Sequence, residues 1–356
     1  MTKTKIGILF GGRSVEHDVS IISAQNIAKY IDVEKFEITL LGISKAGGWF
    51  LCNKVSKNIS EGKPLQISLS AHKPTFSTSD LEFSLDVIFP VLHGTDGEDG
   101  SIQGLLKTLS IPHVGSDTLG SAVSMDKLTT KRVLVHSGVP VAQFLTYTKS
   151  EVHHVNYAHI VATLGSPFII KPANLGSSVG VFKITSKDGF QEKLNTLFSF
   201  DNVALIEEYI EGRELECAII GNETPMASPP GEIILKGDYE FYSFEAKYVD
   251  GNAVELVIPA KVDADTEEKI KELSIKSYKA ASCKDLARID LFVKEDGQII
   301  VNEINTIPGF TNISMYPKLI GLLGIAYTDL ITQLVEMALK RANEATLVNT
   351  NFESNI

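Results

Sequence analysis

Between residues 287 and 309 the chain reads Ala-Arg-Ile-Asp-Leu-Phe-Val-Lys, then Glu295-Asp296-Gly297, then Gln-Ile-Ile-Val-Asn-Glu-Ile-Asn-Thr-Ile-Pro-Gly. Two apolar runs around a Gly-containing turn predict a β-hairpin. Polar residues recur at every second position: Arg288 and Asp290 on one strand, Glu303 and Asn305 on the other. Residues two apart share one face of a strand, so one face gathers two carboxylates, a carboxamide and a guanidinium. Two carboxylates buried together are costly unless a cation neutralises them, and hard oxygens of this kind suit magnesium when phosphate completes the shell. A solvated edge-hairpin face is the competing reading. The Pro308-Gly309 turn, which brings backbone N–H groups to the same place, argues against it.

The 356 residues allow two or three domains. Acidic residues outnumber basic ones 44 to 33, for a net charge of −11, which opposes a broad nucleic-acid or anionic-membrane surface but not a local phosphate pocket. No apolar run is long enough to span a membrane, and the first residues enter a short strand rather than a signal-peptide core. Three cysteines without metal-like spacing fit a reducing cytoplasm.

The apolar run after Lys5 ends in Gly11-Gly12-Arg13-Ser14, and a helical pattern follows through Val19, Ile22, Ile27 and Tyr30. Strand, Gly-rich turn and helix open a doubly wound α/β unit. Glu16 reads either as a first-turn acid that favours the helix dipole or as the anchor for a substrate ammonium. Residues 52–80 read as loops with a short edge strand. The strand at 86–92 empties into His93-Gly-Thr-Asp-Gly-Glu-Asp-Gly100, where His93 is either a core histidine or a site residue. A cation-bearing amphipathic helix is predicted from Ser124 through Val135, carrying Lys127 and Lys131. The strand ending in Lys171-Pro172 leads into Gly176-Ser177-Ser178-Val179-Gly180, either an ordinary hairpin or a flap whose N–H groups cradle phosphates. The strand at 204–210 carries Glu207, Glu208 and Ile210, and Glu214 opens the next. Acids at these strand edges fit either solvent or a nucleotide. An aromatic-rich stretch near 239–249, with Lys247 and Tyr248, reads as a mobile lid. Helices are predicted at 264–281 and over most of 319–347, with a frayed tail at 349–356.

Taken in order, these pieces resemble the D-alanine–D-alanine ligase family of the ATP-grasp superfamily, over about residues 5–342. The motifs are Gly11-Gly-Arg-Ser-Val-Glu-His-Asp-Val-Ser20, His93 through Gly100, Lys171 through Gly180, Glu245-Ala-Lys-Tyr248, Arg288-Ile-Asp290, Asn302 through Gly309 and Ser314-Met315-Tyr316-Pro317. The resemblance implies an N-terminal doubly wound parallel-sheet domain (1–119, first D-alanine site) followed by a two-lobed ATP-grasp unit. Its small lobe would be 120–208 and its large lobe 209–345, before a flexible tail at 346–356. It implies ATP-dependent joining of two D-alanines through an acyl phosphate, for peptidoglycan precursors, in the cytoplasm and in a homodimer.

The resemblance also assigns roles. Lys131 and Lys171 would contact the ATP phosphates beneath the Ser177 flap, Glu207, Glu208 and Ile210 would meet adenine, and Glu214 the ribose. Asp290, Glu303 and Asn305 would hold two magnesium or manganese ions. Glu16 would bind the first D-alanine's ammonium and link with Ser177 and Tyr248, with His93 beside that site. Arg288 and the Gly309 N–H would stabilise oxyanions, Ser314 with Met315 would hold the second D-alanine, and Lys247 would reach the transferring phosphate. Asp96 and Glu208 stand where some relatives carry other residues. The nearest rival is a D-alanyl-D-lactate or D-alanyl-D-serine ligase, but the intact Lys247-Tyr248 pair and the apolar Met315 favour D-alanine. A non-catalytic nucleotide-binding protein of the same fold would be expected to have lost Arg288 or a metal ligand.

Overall fold

The computed structural model describes residues 2–69, 74–237 and 253–347. Its first sheet carries three parallel strands, Thr4–Gly11 between Phe36–Ile43 and Val87–Pro90, extended antiparallel by Trp49–Cys52 and Lys63–Pro64. Both faces are covered. Ile6, Ile8, Phe10, Val87 and Phe89 share a core with the helix His17–Tyr30, while Leu9, Leu41 and Ile88 pack with Ile102 and Leu106 of Ser101–Thr108. A parallel strand buried on both faces reads as a continuous apolar run, and the N-terminal strand does.

Residues 52–80 hold more order than predicted. A three-stranded sheet, Gln66–Ser68, Thr75–Ser77 and Glu82–Phe83, surrounds the fully buried Phe76. Strands of two or three residues are too short to show a period.

The second sheet is antiparallel, in the order Phe182–Ile184, Phe168–Pro172, Val203–Glu208, Phe144–Thr148, and is backed by the helices Tyr157–Leu164 and Phe190–Phe200. Phe168 pairs with Ile184, so the Gly176–Gly180 stretch is the connection of a hairpin. The predicted helix through Ser124 is two helices, Thr118–Met125 and Lys127–His136. Asp126 stands between them in extended backbone and accepts from Thr129 N at 2.6 Å, restarting the helix as an N-cap.

The third sheet runs Val254–Val257, Gly231–Leu235, Arg213–Ile220, Leu286–Val293, Ile299–Asn305. The strand Arg213–Ile220 shows why period 2 matters. Leu215, Cys217 and Ile219 enter a core with the helix Ala264–Ala280, and Ala218 and Ile220 enter the opposite one. The last predicted helix is broken into Met315–Gly321 and Tyr327–Thr346. Leu330, Leu334 and Ala338 of the final helix share one apolar core with both the N-terminal sheet and Ala218, Ile220 and Leu286 of the third sheet.

Candidate active site

The hairpin forms as its pattern requires. Arg288 stands opposite Asn305 and Asp290 opposite Glu303, but the register shifts between Asp290 and Leu291, which faces Val301. Asn302 is thus the extra residue of a β-bulge, a device that re-aims side chains. Its Oδ1 accepts from Lys171 Nζ at 3.2 Å.

Arg288 is forked onto Asp290, with Nε to Oδ1 and Nη2 to Oδ2 both at 2.7 Å, and its Nε lies 3.1 Å from Glu216 Oε2. Burial alone would push the guanidinium pKa down, but Asp290 and Glu216 outweigh it and hold the group charged. Asn305 Nδ2 donates to Asp290 Oδ2 at 3.0 Å. One guanidinium among Asp290, Glu216 and Glu303 leaves this face negative. Among the described residues no three His, Cys, Asp or Glu side chains form a ready-made metal cage. Magnesium needs none where phosphates complete its shell, and the carboxylate and carboxamide oxygens of Asp290, Glu303 and Asn305 are the donor chemistry it takes. The residues fit the ion.

A cavity of about 360 Å3 opens between the second and third sheets. Ile169, Phe292 and Ile300 supply apolar wall, and Lys171, Glu207, Glu208, Ile210 and Glu214 supply polar or edge positions. Glu207 is clasped between two ammonium groups, with Oε1 2.8 Å from Lys131 Nζ and Oε2 2.7 Å from Lys171 Nζ. Burial pushes Glu207 up, but both lysines outweigh it, and its carboxyl lies below the ordinary range. Lys131 is only 1% exposed, and burial lowers its pKa against the pull of Glu207. Thus Lys171 reaches the cavity, whereas Lys131 sits behind it. Glu208 Oε1 accepts from Gln143 N at 2.7 Å.

A smaller cavity of about 90 Å3 is lined by Glu16, His93, Glu98, Arg288, Asn305 and Gly309. It shares Lys127, Gly176, Ser177 and Glu303 with the larger one. Ser177 Oγ donates to Glu16 Oε1, which closes the flap onto the N-terminal domain. Ser177 and Ser178 hold φ of 53° and 57°, left-handed backbone that is sparsely populated by non-glycine residues and marks stored strain. Glu98 accepts from Gly94 N at 2.7 Å and Ile307 N at 3.3 Å. Those bonds favour a carboxylate, yet burial, with Glu16 nearby, outweighs them and pushes Glu98 up to about 8. His93 is held below its ordinary value by burial, against the opposing field of Glu16.

The two positions expected to hold the second substrate, Ser314 and Met315, stand apart. Ser314 Oγ accepts from Thr311 N at 3.0 Å, and a Cβ on Gly309 would come within 2.6 Å of it, so only glycine fits that turn unchanged. Met315 is 4% exposed, its sulfur packed against Gly231. Neither residue lines either cavity. Lys247 and Tyr248 lie outside the described residues. Asp96, φ 65°, pairs at the surface with Arg13, Oδ2 to Nη2 at 2.7 Å.

Four site residues escaped the sequence reading. Lys127 donates to Leu175 O at 2.7 Å and lies 3.5 Å from Glu303 Oε2, so it ties helix, flap and hairpin. Asn302 was hidden by the bulge. Glu98 shares the Gly-rich loop of His93, and Glu216 lies two residues from Glu214; those positions were the available signals.

Comparison with known proteins matches this arrangement to one family. Residues 5–116 match the model of the D-ala D-ala ligase N-terminus, and residues 133–336 that of its C-terminus. A D-alanine–D-alanine ligase of Oceanobacillus iheyensis is 46% identical over 353 residues, covering 95% of this chain and 96% of its own. The solved D-alanine–D-alanine ligase from Coxiella burnetii superposes with a TM-score of 0.87 at 33% identity, over 98% of this chain and 97% of its own. The VanG D-Ala:D-Ser ligase from Enterococcus faecalis does so at 0.85 and 32%, over 95% of this chain and 100% of its own. The chain belongs to the D-alanine–D-alanine ligase family.

Proposed function

We propose that the protein joins two D-alanines to D-alanyl-D-alanine with the conversion of ATP to ADP and phosphate, for peptidoglycan precursor synthesis. The observation that carries this reading is the meeting of the two cavities at Lys127, Gly176, Ser177 and Glu303. ATP takes the larger cavity, with adenine toward Glu207, Glu208 and Ile210, ribose at Glu214 and the phosphates toward Lys171. The first D-alanine takes the smaller one, its ammonium at Glu16 and its carboxylate facing the γ-phosphate.

In the first step a carboxylate oxygen attacks the γ-phosphorus, ADP leaves, and an acyl phosphate forms. Two anions approach one another, so fixed cations are required there. Lys171 and Lys127 supply them from this chain, and Lys131 keeps Glu207 from opposing them. Asp290, Glu303 and Asn305 would hold two magnesium or manganese ions, which supply charge neutralisation on the phosphates. In the second step the neutral amine of another D-alanine attacks the acyl carbon, the acyl C–O bond breaks, and phosphate leaves with the carboxylate oxygen and takes up the proton that the nitrogen sheds. Arg288 and the Gly309 N–H steady the tetrahedral oxyanion, and Ser314 with Met315 orients the second substrate's carboxylate. Water would consume the acyl phosphate, so closure over the site is a chemical requirement. The flap bond from Ser177 to Glu16 supports that closure.

The units 1–119, 120–208, 209–345 and 346–356 are proposed as domains and tail, the molecule as a cytoplasmic homodimer. Among the described residues no helix is long and apolar enough to cross a membrane. The test is phosphate release from ATP with D-alanine, L-alanine, or D-alanine plus D-lactate or D-serine, with products separated. D-Alanine-dependent release with dipeptide as the dominant product is expected. ATP turnover indifferent to D-alanine, or depsipeptide or D-alanyl-D-serine as the main product, overturns the reading.

A further inference from the structure

Four backbone polar groups flank Pro308 and Gly309, two on Ile307 and two on Phe310, and each is bonded by a side chain from outside the turn. Ile307 N–H donates to Glu98 Oε1 at 3.3 Å, and Ile307 C=O accepts from His93 Nδ1 at 3.0 Å. Phe310 N–H donates to Ser23 Oγ at 3.1 Å. Phe310 C=O accepts from Asn26 Nδ2 at 3.0 Å and from the Tyr327 hydroxyl at 2.6 Å. Ser23 Oγ also lies 3.1 Å from His93 Nε2.

These bonds assign one tautomer. A ring nitrogen facing a carbonyl must donate, so Nδ1 carries the proton and Nε2 accepts from the Ser23 hydroxyl. A continuous chain results, from Ile307 C=O through His93 and Ser23 to Phe310 N–H, spanning the turn that holds Gly309. Ser23 is fully buried and His93 is 5% exposed, so these bonds sit at the inner wall of the smaller cavity. Glu16 immediately precedes the helix His17–Tyr30, which carries both Ser23 and Asn26. One rigid element therefore stands next to the ammonium anchor and grips the turn across the site.

We propose that Ser23, Asn26 and His93 are positioning residues that aim the Gly309 N–H at the oxyanion of the second step. This rests on the functional reading above. His93 here acts by holding the turn and exchanges no proton with substrate. The geometry makes the N-terminal domain responsible for two things: seating the first D-alanine and aligning the donor that its acyl phosphate needs next.

The consequence is specific to the second step. A displaced donor slows attack of the amine on the acyl carbon, while water still cleaves the acyl phosphate to D-alanine and phosphate. The ratio of phosphate released to dipeptide formed therefore reads the alignment. For Ser23→Ala, dipeptide formation is expected to fall roughly tenfold to a hundredfold, the scale of a misplacement of about 1 Å. The phosphate-to-dipeptide ratio should rise well above one and KM for ATP should hold. A merely structural role would lower the melting temperature and cut both products in parallel, at a ratio of one; that result overturns the proposal.

A second pair decides the matter should Ser23→Ala fail to fold. His93→Asn keeps a donor where Nδ1 stood and should stay nearer a ratio of one, whereas His93→Gln should not. Equal ratios for the two, or a pH–rate limb lost in both, contradict the positioning role. Wild-type protein that forms no dipeptide at all would instead refute the functional reading, so the two failures are distinguishable.

Discussion

The larger cavity lies between two sheets, whereas the smaller one is walled by the 306–309 turn and the loops at Glu16, His93 and Ser177, together with helix and strand residues such as Ser124, Arg288 and Asn305. The charge plans differ as well. In the larger, Glu207 is already neutralised by Lys131 and Lys171 before any ligand arrives. In the smaller, Glu16 and Glu98 crowd one another, and Glu98 is pushed up to about 8. A ready-balanced cavity keeps its shape alone. A crowded one is poised to gain from a ligand that brings an ammonium and an anion together.

The point common to both cavities should be the most sensitive. Glu303→Gln removes one of the charges facing both spaces, and D-alanine-dependent phosphate release should disappear with the fold intact by circular dichroism. Wild-type turnover of that variant at limiting magnesium would break the comparison at its junction.

Glu207→Gln tests the balanced cavity. Removing one partner of a buried ion pair costs about 3–5 kcal/mol, here by leaving two ammonium groups facing a neutral amide. The loss should appear in denaturant unfolding without ATP and shrink when ATP is added. Glu207 has a folded pKa below its unfolded one, so its stabilisation is present above the unfolded pKa and is lost as pH falls through the folded value. The acid limb of wild-type stability should therefore be steeper than the variant's. Parallel limbs would mean that Glu207 carries no such charge.

Arg288→Met tests the crowded side. Its effect should fall on turnover, by about a hundredfold for one lost oxyanion donor, with ATP binding little changed. Normal turnover with weak ATP binding would move Arg288 to the nucleotide.

Glu98→Gln should act mainly on pH dependence. The folded pKa is raised from 4.5 to about 8, so stability is greatest below 4.5 and declines as pH rises to about 8. The variant's melting temperature should be flatter across that window, and an unchanged slope would remove the crowding argument. The smallest effect belongs to Asp96→Asn. Its ion pair with Arg13 is exposed, and such pairs are worth at most about 1 kcal/mol, so unfolding and turnover should both stay close to wild type.

The same contrast governs what was legible in the sequence. Strand periodicity assigned Arg288, Asp290, Glu303 and Asn305 to one face, because a two-residue repeat is a local property. It could not reveal that Asp290 would be forked by Arg288 or that Glu207 would sit between two lysines, since a period assigns a face and not a partner. The bulge at Asn302 broke the repeat at the one place where another polar side chain was brought to the site. Glu98 and Ser23 were illegible for a related reason: their bonds to the Pro308-Gly309 turn reach Ile307 and Phe310, 209 and 287 residues away, on backbone groups that leave no trace in composition. The placement of Tyr327–Thr346 on the N-terminal sheet likewise depends on which apolar face it meets, not on its being helical.

The joining of the two cavities is tested most directly by following one oxygen atom. D-Alanine with a heavy-oxygen-labelled carboxylate is incubated with ATP and the protein, and the released phosphate is analysed by mass. If the carboxylate in the smaller cavity attacks the phosphate in the larger one, each phosphate accompanying dipeptide carries one labelled oxygen. Unlabelled phosphate accompanying dipeptide would contradict it, because the carboxylate would then never have met the γ-phosphate.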